Sequence, residues 1–266
     1  MKIKHPFYKI EIDTSKKKYK KIKNKLQSLY SELPASKCLF CPGKCGVEAD
    51  CCKTFSPPML LVEFCSTLEI INNWDKEKQK KLLFSCLDSF VKTDIAKPCV
   101  LLEQTLCSIY NARPLGCRLF ALYPDEEWEK RLNSISNELN VEKEKVPFYK
   151  QCRNVEVEGE EKIVSTKVSD DIFNKIHQLD IDLFPDKRVG NKLVMDNSAT
   201  YMPFETHFLC YKFGPQLVQG LSDMKLAVRA LKKRKNTGSL EYIKAEKNLK
   251  EFVETLKNTM ITNNIV

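Results

Sequence analysis

The chain has 266 residues and a hydrophobic content of 42%, enough for one sizeable core or two small ones. A chain of this length does not need disulfide bonds to hold its fold together. Its charged N-terminus lacks the apolar stretch of a signal peptide. The longest apolar run, residues 59–62, is too short to span a bilayer. These features argue against a small secreted domain and a helical membrane protein. They predict a cytoplasmic protein, in which twelve cysteines indicate metal or redox chemistry.

The net charge of +9 is concentrated at the N-terminus. Residues 1–25 hold ten lysines against Glu11 and Asp13, a net of +8, so the rest of the chain is almost neutral. A solvated lysine-rich helix is the favoured interpretation. A nucleic-acid partner is not favoured, because such surfaces usually add arginine and stacking aromatic residues. Contact with a membrane surface or an acidic partner stays open.

The N-terminal arm is predicted to form a strand and a helix. Residues 7–12 alternate apolar and polar side chains, which favours a short strand. A helix is expected to begin near residues 13–15 and to end before Pro34, because one apolar stripe recurs at helical spacing. The residues of this stripe are Ile22, Leu26, Leu29 and Leu33.

Helices are also predicted at 59–72, 76–92 and 125–139. Cys65 and Cys86 have apolar neighbours at helical spacing, so both are interpreted as buried small hydrophobic residues. A further turn is expected at residues 141–146.

The composition changes after Cys152. Residues 154–169 alternate β-branched and polar residues around a glycine, which predicts a hairpin. A helix is expected at 170–184. Residues 185–215 are expected to be irregular, with Cys210 buried among aromatic side chains.

The last fifty residues carry the clearest helical periodicity. Two amphipathic segments flank a turn at 236–239, with Ser239 as the expected N-cap, and this predicts an antiparallel helical hairpin. Such a hairpin braces its own domain or binds a partner. Its apolar residues are Leu217, Leu221, Met224, Val228 and Leu231 in the first helix, and Leu249, Phe252, Leu256 and Met260 in the second.

The predicted fold is mainly α, with a small cysteine-rich metal-binding domain of irregular loops, flanking helices and a C-terminal helical hairpin. Three segments are predicted: a basic strand and helix arm at 1–34, the cysteine-cluster domain at 35–153, and a mixed segment at 154–266 that packs on the same body. The oligomeric state is left open.

Nine cysteines remain after Cys65, Cys86 and Cys210, which are interpreted as buried, and these nine are the candidate metal ligands. Thiolates gather at low cost only when a cation compensates their charge or when they are oxidised. Because a cytoplasmic location disfavours disulfides, zinc or an iron–sulfur cluster is expected. The nine are Cys38, Cys41, Cys45, Cys51, Cys52, Cys99, Cys107, Cys117 and Cys152.

The spacing of these cysteines favours an iron–sulfur cluster, with [4Fe–4S] preferred, over zinc. Cys38, Cys41 and Cys45 have the short spacing of a zinc knuckle, but Cys99, Cys107 and Cys117 are spaced too widely for a second one. Cluster sites accept wider and less regular spacing. Nine candidates also exceed the four ligands of one site, so either two sites exist or some cysteines are spare.

Residues 107–120 resemble the signature C-x-I-Y-x-x-R-P-x-x-C-R-x-F of the YkgJ-type cysteine-cluster family, and all eight defined positions match. That family is described as a zinc- or iron-chelating domain, and the resemblance extends over about 38–153. It implies metal binding through a C-x-x-C pair, a Cys-Cys pair and one cysteine on each side of the signature. The insertion at 42–50, which carries Cys45, departs from the family pattern and leaves open whether Cys38 or Cys45 accompanies Cys41.

Three residues of the signature are further candidates for cofactor binding. Arg113 and Arg118 either balance the charge of a thiolate cluster or bridge loop carbonyls, and Tyr110 either shields the site or packs in the core. Arg113 is expected to be extended because it precedes a proline.

Three functions follow from these features. The first is an iron–sulfur protein with a redox or enzymatic role on a protein or peptide, and the second is a zinc- or cluster-stapled binding module. The third comes from a branch of the family that resembles flagellin lysine N-methylases, which use S-adenosylmethionine. The chain lacks a glycine-rich strand-to-helix turn for that cofactor and the C-x3-C-x2-C motif of a radical enzyme.

Overall fold

The computed structural model describes most of the chain, and helices dominate the described residues, which confirms the predicted mainly α class. Strands in this part of the chain are short and pair two by two, antiparallel. For residues 35–38 and 155–158 the description covers the backbone. The described residues are 2–5, 8–38, 52–53, 56–92, 97–104, 106–120, 122–146, 155–158, 164–190, 200–233 and 237–262.

The N-terminal arm begins with a hairpin rather than one strand. Strand β1 (Lys2–His5) pairs with β2 (Ile10–Asp13). The strand predicted at 7–12 was therefore placed too early, because residues 8 and 9 form the turn. Helix α1 (Lys17–Ser31) confirms the predicted helix, and its buried residues are Tyr19, Ile22, Leu26 and Tyr30.

Two helices at the centre of the molecule confirm their predictions. They are α2 (Leu61–Ile71) and α3 (Lys76–Val91), and Cys65 and Cys86 are fully buried in them. Every residue of α2 from Leu61 to Leu68 is buried. A helix that is covered on all sides occupies the core, so α2 is the element around which the others pack.

The stretch between 99 and 146 consists of short elements. The elements are β5 (Leu102–Glu103), β6 (Leu106–Cys107), a 3-10 turn at Tyr110–Ala112, α4 (Leu115–Leu119), α5 (Asp125–Leu139) and a 3-10 turn at Lys143–Lys145. Cys117 lies in α4, although no helix was predicted there. Helix α5 and the turn after it confirm their predictions.

The strand expected after residue 154 is present, and its partner is distant in sequence. Strand β7 (Val155–Glu158) pairs antiparallel with β3 (Ala35–Cys38). The second strand of the predicted hairpin would fall at residues outside the described ones. Helix α6 (Thr166–Leu183) begins earlier than expected. Its N-cap is Ser165, whose hydroxyl accepts a hydrogen bond from the backbone N–H of Val168.

One helix in the region predicted to be irregular was missed. Helix α7 (Phe204–Phe213) packs on α3 and buries residues on several sides, including Cys210, as predicted for that cysteine. Its sequence shows no apolar stripe opposite a polar face, because a helix that is surrounded by protein needs no polar face. Strand β8 (Met202–Pro203) precedes it and pairs with β4 (Pro58–Met59).

The C-terminal hairpin is confirmed. Helices α8 (Pro215–Lys233) and α9 (Leu240–Thr262) pack together, and the Ser239 hydroxyl accepts a hydrogen bond from the Tyr242 backbone at 3.1 Å. In α9 Leu249, Val253 and Met260 are buried, whereas Phe252, which was predicted to belong to the apolar stripe, is 41% exposed. The hairpin rests on α3 and α7, and one hydrophobic core includes residues of all three predicted segments. Within the described helices, none is long and apolar enough to cross a membrane.

Candidate functional site

Four of the candidate cysteines line one cavity of about 840 Å³. They are Cys52, Cys99, Cys107 and Cys117, which are spread over more than sixty positions of sequence. Most of the remaining lining is apolar or aromatic. The fold thus brings Cys52 to the same cavity as Cys99, Cys107 and Cys117.

Backbone hydrogen bonds hold three of these cysteines near one another. The N–H of Cys99 donates to the carbonyl of Cys52 at 2.6 Å, which ties Cys52 to the segment that carries Cys99, Cys107 and Cys117. Strands β5 and β6 place Cys107 opposite Leu102. Ser108 closes this hairpin, because its backbone N–H and its hydroxyl both donate to the carbonyl of Leu101, at 2.9 and 2.8 Å.

Cys117 is positioned through a buried carboxylate on α2. Glu63 accepts hydrogen bonds from the N–H of Leu115 at 2.6 Å, the N–H of Leu60 at 2.8 Å and the hydroxyl of Tyr30 at 2.5 Å. Leu115 is the first residue of α4, and Cys117 follows two residues later. Burial raises the pKa of Glu63, and the three donors act in the opposite direction. One carboxylate therefore joins α1, α2 and the helix that carries Cys117.

The two arginines of the signature bridge loop carbonyls. Arg113 Nε donates to the carbonyl of Tyr110 at 3.1 Å, and Arg118 donates to the carbonyls of Arg113 at 2.8 Å and Asn111 at 2.9 Å. Each guanidinium also stacks on a tyrosine: Arg113 Cζ lies 3.9 Å from the ring centre of Tyr110, and Arg118 Cζ lies 4.1 Å from that of Tyr30. Arg113 and Tyr110 line the cavity, and Arg113 has the predicted extended backbone, with φ −52° and ψ 135°.

An ion pair with a buried carboxylate lies near Cys99. The carboxylate of Glu205, at the start of α7, is 2.6 Å from Lys97 Nζ and accepts a hydrogen bond from the Ser56 hydroxyl at 3.0 Å. Ser56 lines the cavity beside Cys99, and Glu205 is fully buried. Burial raises the pKa of Cys99 to about 12, and a backbone hydrogen bond from Leu101 opposes that rise. Cys99 therefore needs a cation to become a thiolate at neutral pH.

The buried acids around the thiols were not predicted. Glu63 did carry a signal, because it is the one charged residue in the apolar run of residues 59–68. A charged residue in such a run is normally buried only with partners. Glu205 and Lys97 carried none, since their pairing depends on a contact across more than one hundred positions.

The remaining candidate ligands fall outside the described residues or are described in part. Cys41, Cys45, Cys51 and Cys152 lie outside the described residues. The backbone of Cys38 is described, and it pairs with Val155, three positions after Cys152 in the sequence. The described residues contain no group of three or more histidine, cysteine, aspartate or glutamate side chains that could hold a metal ion. The four cavity cysteines therefore do not form a complete metal site by themselves.

Comparison of the chain with protein-family models, with curated proteins and with solved structures found no match. The family resemblance consequently rests on the sequence pattern of residues 38–153, with its signature at 107–120.

Proposed function

We propose that the protein binds a cysteine-ligated metal cluster, most favourably an iron–sulfur cluster, in the thiol-lined cavity. The observation that carries this proposal is the convergence of Cys52, Cys99, Cys107 and Cys117 on one cavity. Four thiols drawn from distant parts of the sequence have little reason to share a cavity for packing alone. Soft thiolate ligands suit zinc and iron–sulfur clusters.

The surroundings of the thiols fit a cluster. Cys99 is buried, so its thiolate would be costly without a cation, and the neighbouring lining is apolar. An apolar shell controls the access of solvent to a cluster and so its reduction potential. A backbone hydrogen bond from Leu101 reaches Cys99 and would be available to a ligating sulfur.

The ligand set must draw on further cysteines, because the described side chains do not complete one. Cys41, Cys45, Cys51 and Cys152 are the candidates, together with Cys38. The metal would then tie the segment of residues 38–52 to the segment of residues 99–117. The elements that carry the cavity cysteines are short, so the metal would also contribute to folding.

The proposed role is redox or enzymatic, in the reducing cytoplasm, with a protein or peptide as the substrate. Arg113 and Tyr110 would lie beside the cluster as positively charged and shielding groups. The thiols, Arg113 and Tyr110 face a cavity large enough for a ligand next to the metal. This arrangement favours a reactive site over a purely structural zinc module.

The test is metal analysis of protein purified without oxygen. We expect iron and acid-labile sulfide in similar amounts, a brown colour and a broad absorbance band at about 400 nm. Cys99→Ser should lose most of the iron. The matched control, Cys86→Ser, changes a buried thiol that does not line the cavity and should keep the iron. A colourless protein with stoichiometric zinc, or with no metal, would contradict the iron–sulfur proposal.

A further inference from the structure

Helix α1 has an exposed side that is rich in lysine. The helix contains six lysines and no aspartate or glutamate. Two of the six have partners, because Lys18 donates to the Phe184 carbonyl at 3.2 Å and Lys23 forms an ion pair with Glu69. The other four are exposed, and we refer to them as the lysine face. They are Lys17, Lys20, Lys21 and Lys25.

The charge of the lysine face is not compensated. Within the part of the chain that the structure describes, none of its four side chains forms an ion pair or a hydrogen bond. Helix α6 packs against α1 but supplies no counter-charge, because its carboxylates Asp171 and Asp182 pair with Lys175 and Lys187. Four like charges within nine residues therefore project a positive field into the solvent.

The composition of α1 decides which kind of contact suits the lysine face. The helix has no arginine, and it exposes no aromatic or large apolar side chain. Arginine and aromatic residues supply the hot spots of stable protein interfaces and the stacking contacts of nucleic-acid sites. Stable attachment to a bilayer needs an inserted apolar group besides a basic patch. The lysine face therefore fits a transient contact with an acidic protein, driven by charge.

The lysine face lies on the other side of α1 from the cysteine signature. Tyr30, on the buried side of α1, donates to Glu63, and its ring stacks with Arg118, the residue after Cys117. A protein docked on the lysine face would therefore lie across α1 from the helix that carries Cys117. Electron-transfer complexes are small and weak, and a contact made by charge alone suits them.

We propose that the lysine face docks a small acidic electron-transfer protein that exchanges single electrons with the cluster. In each encounter one electron passes from the reduced carrier to the oxidised cluster, and no covalent bond forms or breaks. This inference rests on the proposed function, because it needs a redox-active cluster in the thiol-lined cavity. It adds the class of the partner and the surface that recognises it.

The binding test uses a flavodoxin with a net negative charge, and cytochrome c, which is positively charged, as the control carrier. Each carrier is labelled, and its fluorescence anisotropy is followed as anaerobically purified protein is added. We expect saturable flavodoxin binding with a Kd in the micromolar range and no binding of cytochrome c. Flavodoxin binding should weaken at least tenfold, roughly, when the ionic strength rises from about 0.01 M to about 0.1 M.

Two triple variants with the same loss of charge separate the lysine face from the overall charge of the protein. Lys17→Gln, Lys21→Gln and Lys25→Gln together should weaken flavodoxin binding about tenfold. They should slow electron transfer from reduced flavodoxin by a similar factor, measured by stopped-flow mixing. The control combines substitutions at three exposed lysines of α9 and should change both quantities less than about twofold. It consists of Lys244→Gln, Lys247→Gln and Lys250→Gln.

Four results would overturn the inference. They are the absence of saturable flavodoxin binding, full binding by the α1 variant, an equal loss in both variants, and binding without electron transfer to iron-loaded protein. Phosphatidylserine vesicles and a DNA duplex are titrated in parallel. Tighter binding of either one than of flavodoxin would assign the lysine face to a membrane or to a nucleic acid, and would likewise overturn the inference.

Metal content is measured on the same samples. Flavodoxin binding through the lysine face of protein that lacks iron would support the docking surface and contradict the proposed function. Full iron content without flavodoxin binding would overturn the docking surface and leave the proposed function standing.

Discussion

Removal of the Glu63 carboxylate should destabilise the protein and release the helix that carries Cys117. Glu63 accepts three hydrogen bonds, from Tyr30, Leu60 and Leu115, and all three donors are buried with it. In Glu63→Gln one carboxylate oxygen becomes an amide NH₂, which cannot accept the hydrogen bond that this oxygen accepted. A buried donor left without a partner costs about 1–3 kcal/mol, so we expect a loss of about 2 kcal/mol in the free energy of unfolding.

Urea denaturation at pH 7 measures this loss, and Glu69→Gln is the matched control. Glu69 lies on the same helix and forms an ion pair with Lys23, but that pair is partly exposed, so its loss should cost less than about 1 kcal/mol. Glu63→Gln should also lower the metal content, because Leu115 begins α4. If Glu63→Gln unfolds at the same urea concentration as Glu69→Gln, the carboxylate does not hold α4 as described.

Three other predictions concern the metal, the acid stability and the tail. Cys117→Ser should lose both metal and stability, while Cys65→Ala, which removes a core thiol, should keep the metal, as iron analysis and thermal unfolding would show. Burial lowers the pKa of His5 to about 3 and that of His207 to about 4. In the unfolded chain both histidines bind a proton below about pH 6.5, whereas in the folded chain they stay neutral until the pH is much lower. The free energy of unfolding should therefore be independent of these histidines above about pH 6.5 and should fall by about 1.4 kcal/mol per pH unit per histidine as the pH drops toward 4. Urea midpoints between pH 7 and 5 test this, and His5→Phe should flatten the slope; an unchanged slope would contradict it. Ser239→Ala should cost about 1 kcal/mol through loss of the N-cap of α9, and an unchanged melting temperature would show that the cap is not needed.

The amphipathic helices could be predicted from the sequence because each has one polar face. Helices α3 and α5 lie within a residue or two of their predicted ends. Helix α7 could not be predicted in this way, since it is covered on several sides and its neighbours are prolines. Phe252 was wrongly assigned to the buried stripe of α9. Steps of three or four residues from Leu249 reach Phe252 and Val253 equally well, and only packing selects Val253.

The candidate site was predicted in its thiols and not in its supporting residues. Spacing and signature led to nine candidate cysteines, and four of them, Cys52, Cys99, Cys107 and Cys117, line one cavity, while their role as metal ligands stays a prediction. Their supports are contacts between residues far apart in sequence, such as Ser56 with Glu205. No local periodicity records such contacts, so a single sequence does not reveal them.

The roles of the two arginines of the signature could not be chosen from the sequence either. A charge-balancing role and a carbonyl-bridging role use the same residue type, and the structure shows Arg113 and Arg118 donating to loop carbonyls. Arg118 further stacks on Tyr30, a contact between the N-terminal helix and the signature. The arginines thereby shape the loop that presents Cys117.

X-ray absorption at the iron edge of anaerobically purified protein distinguishes an iron–sulfur cluster from any other iron site. We expect sulfur atoms around the iron and a second shell of iron atoms, as in an iron–sulfur cluster. Both shells should be lost in Cys99→Ser and kept in Cys86→Ser. Iron surrounded by oxygen or nitrogen, or sulfur-bound zinc in place of iron, would contradict the claim that the thiol-lined cavity holds an iron–sulfur cluster.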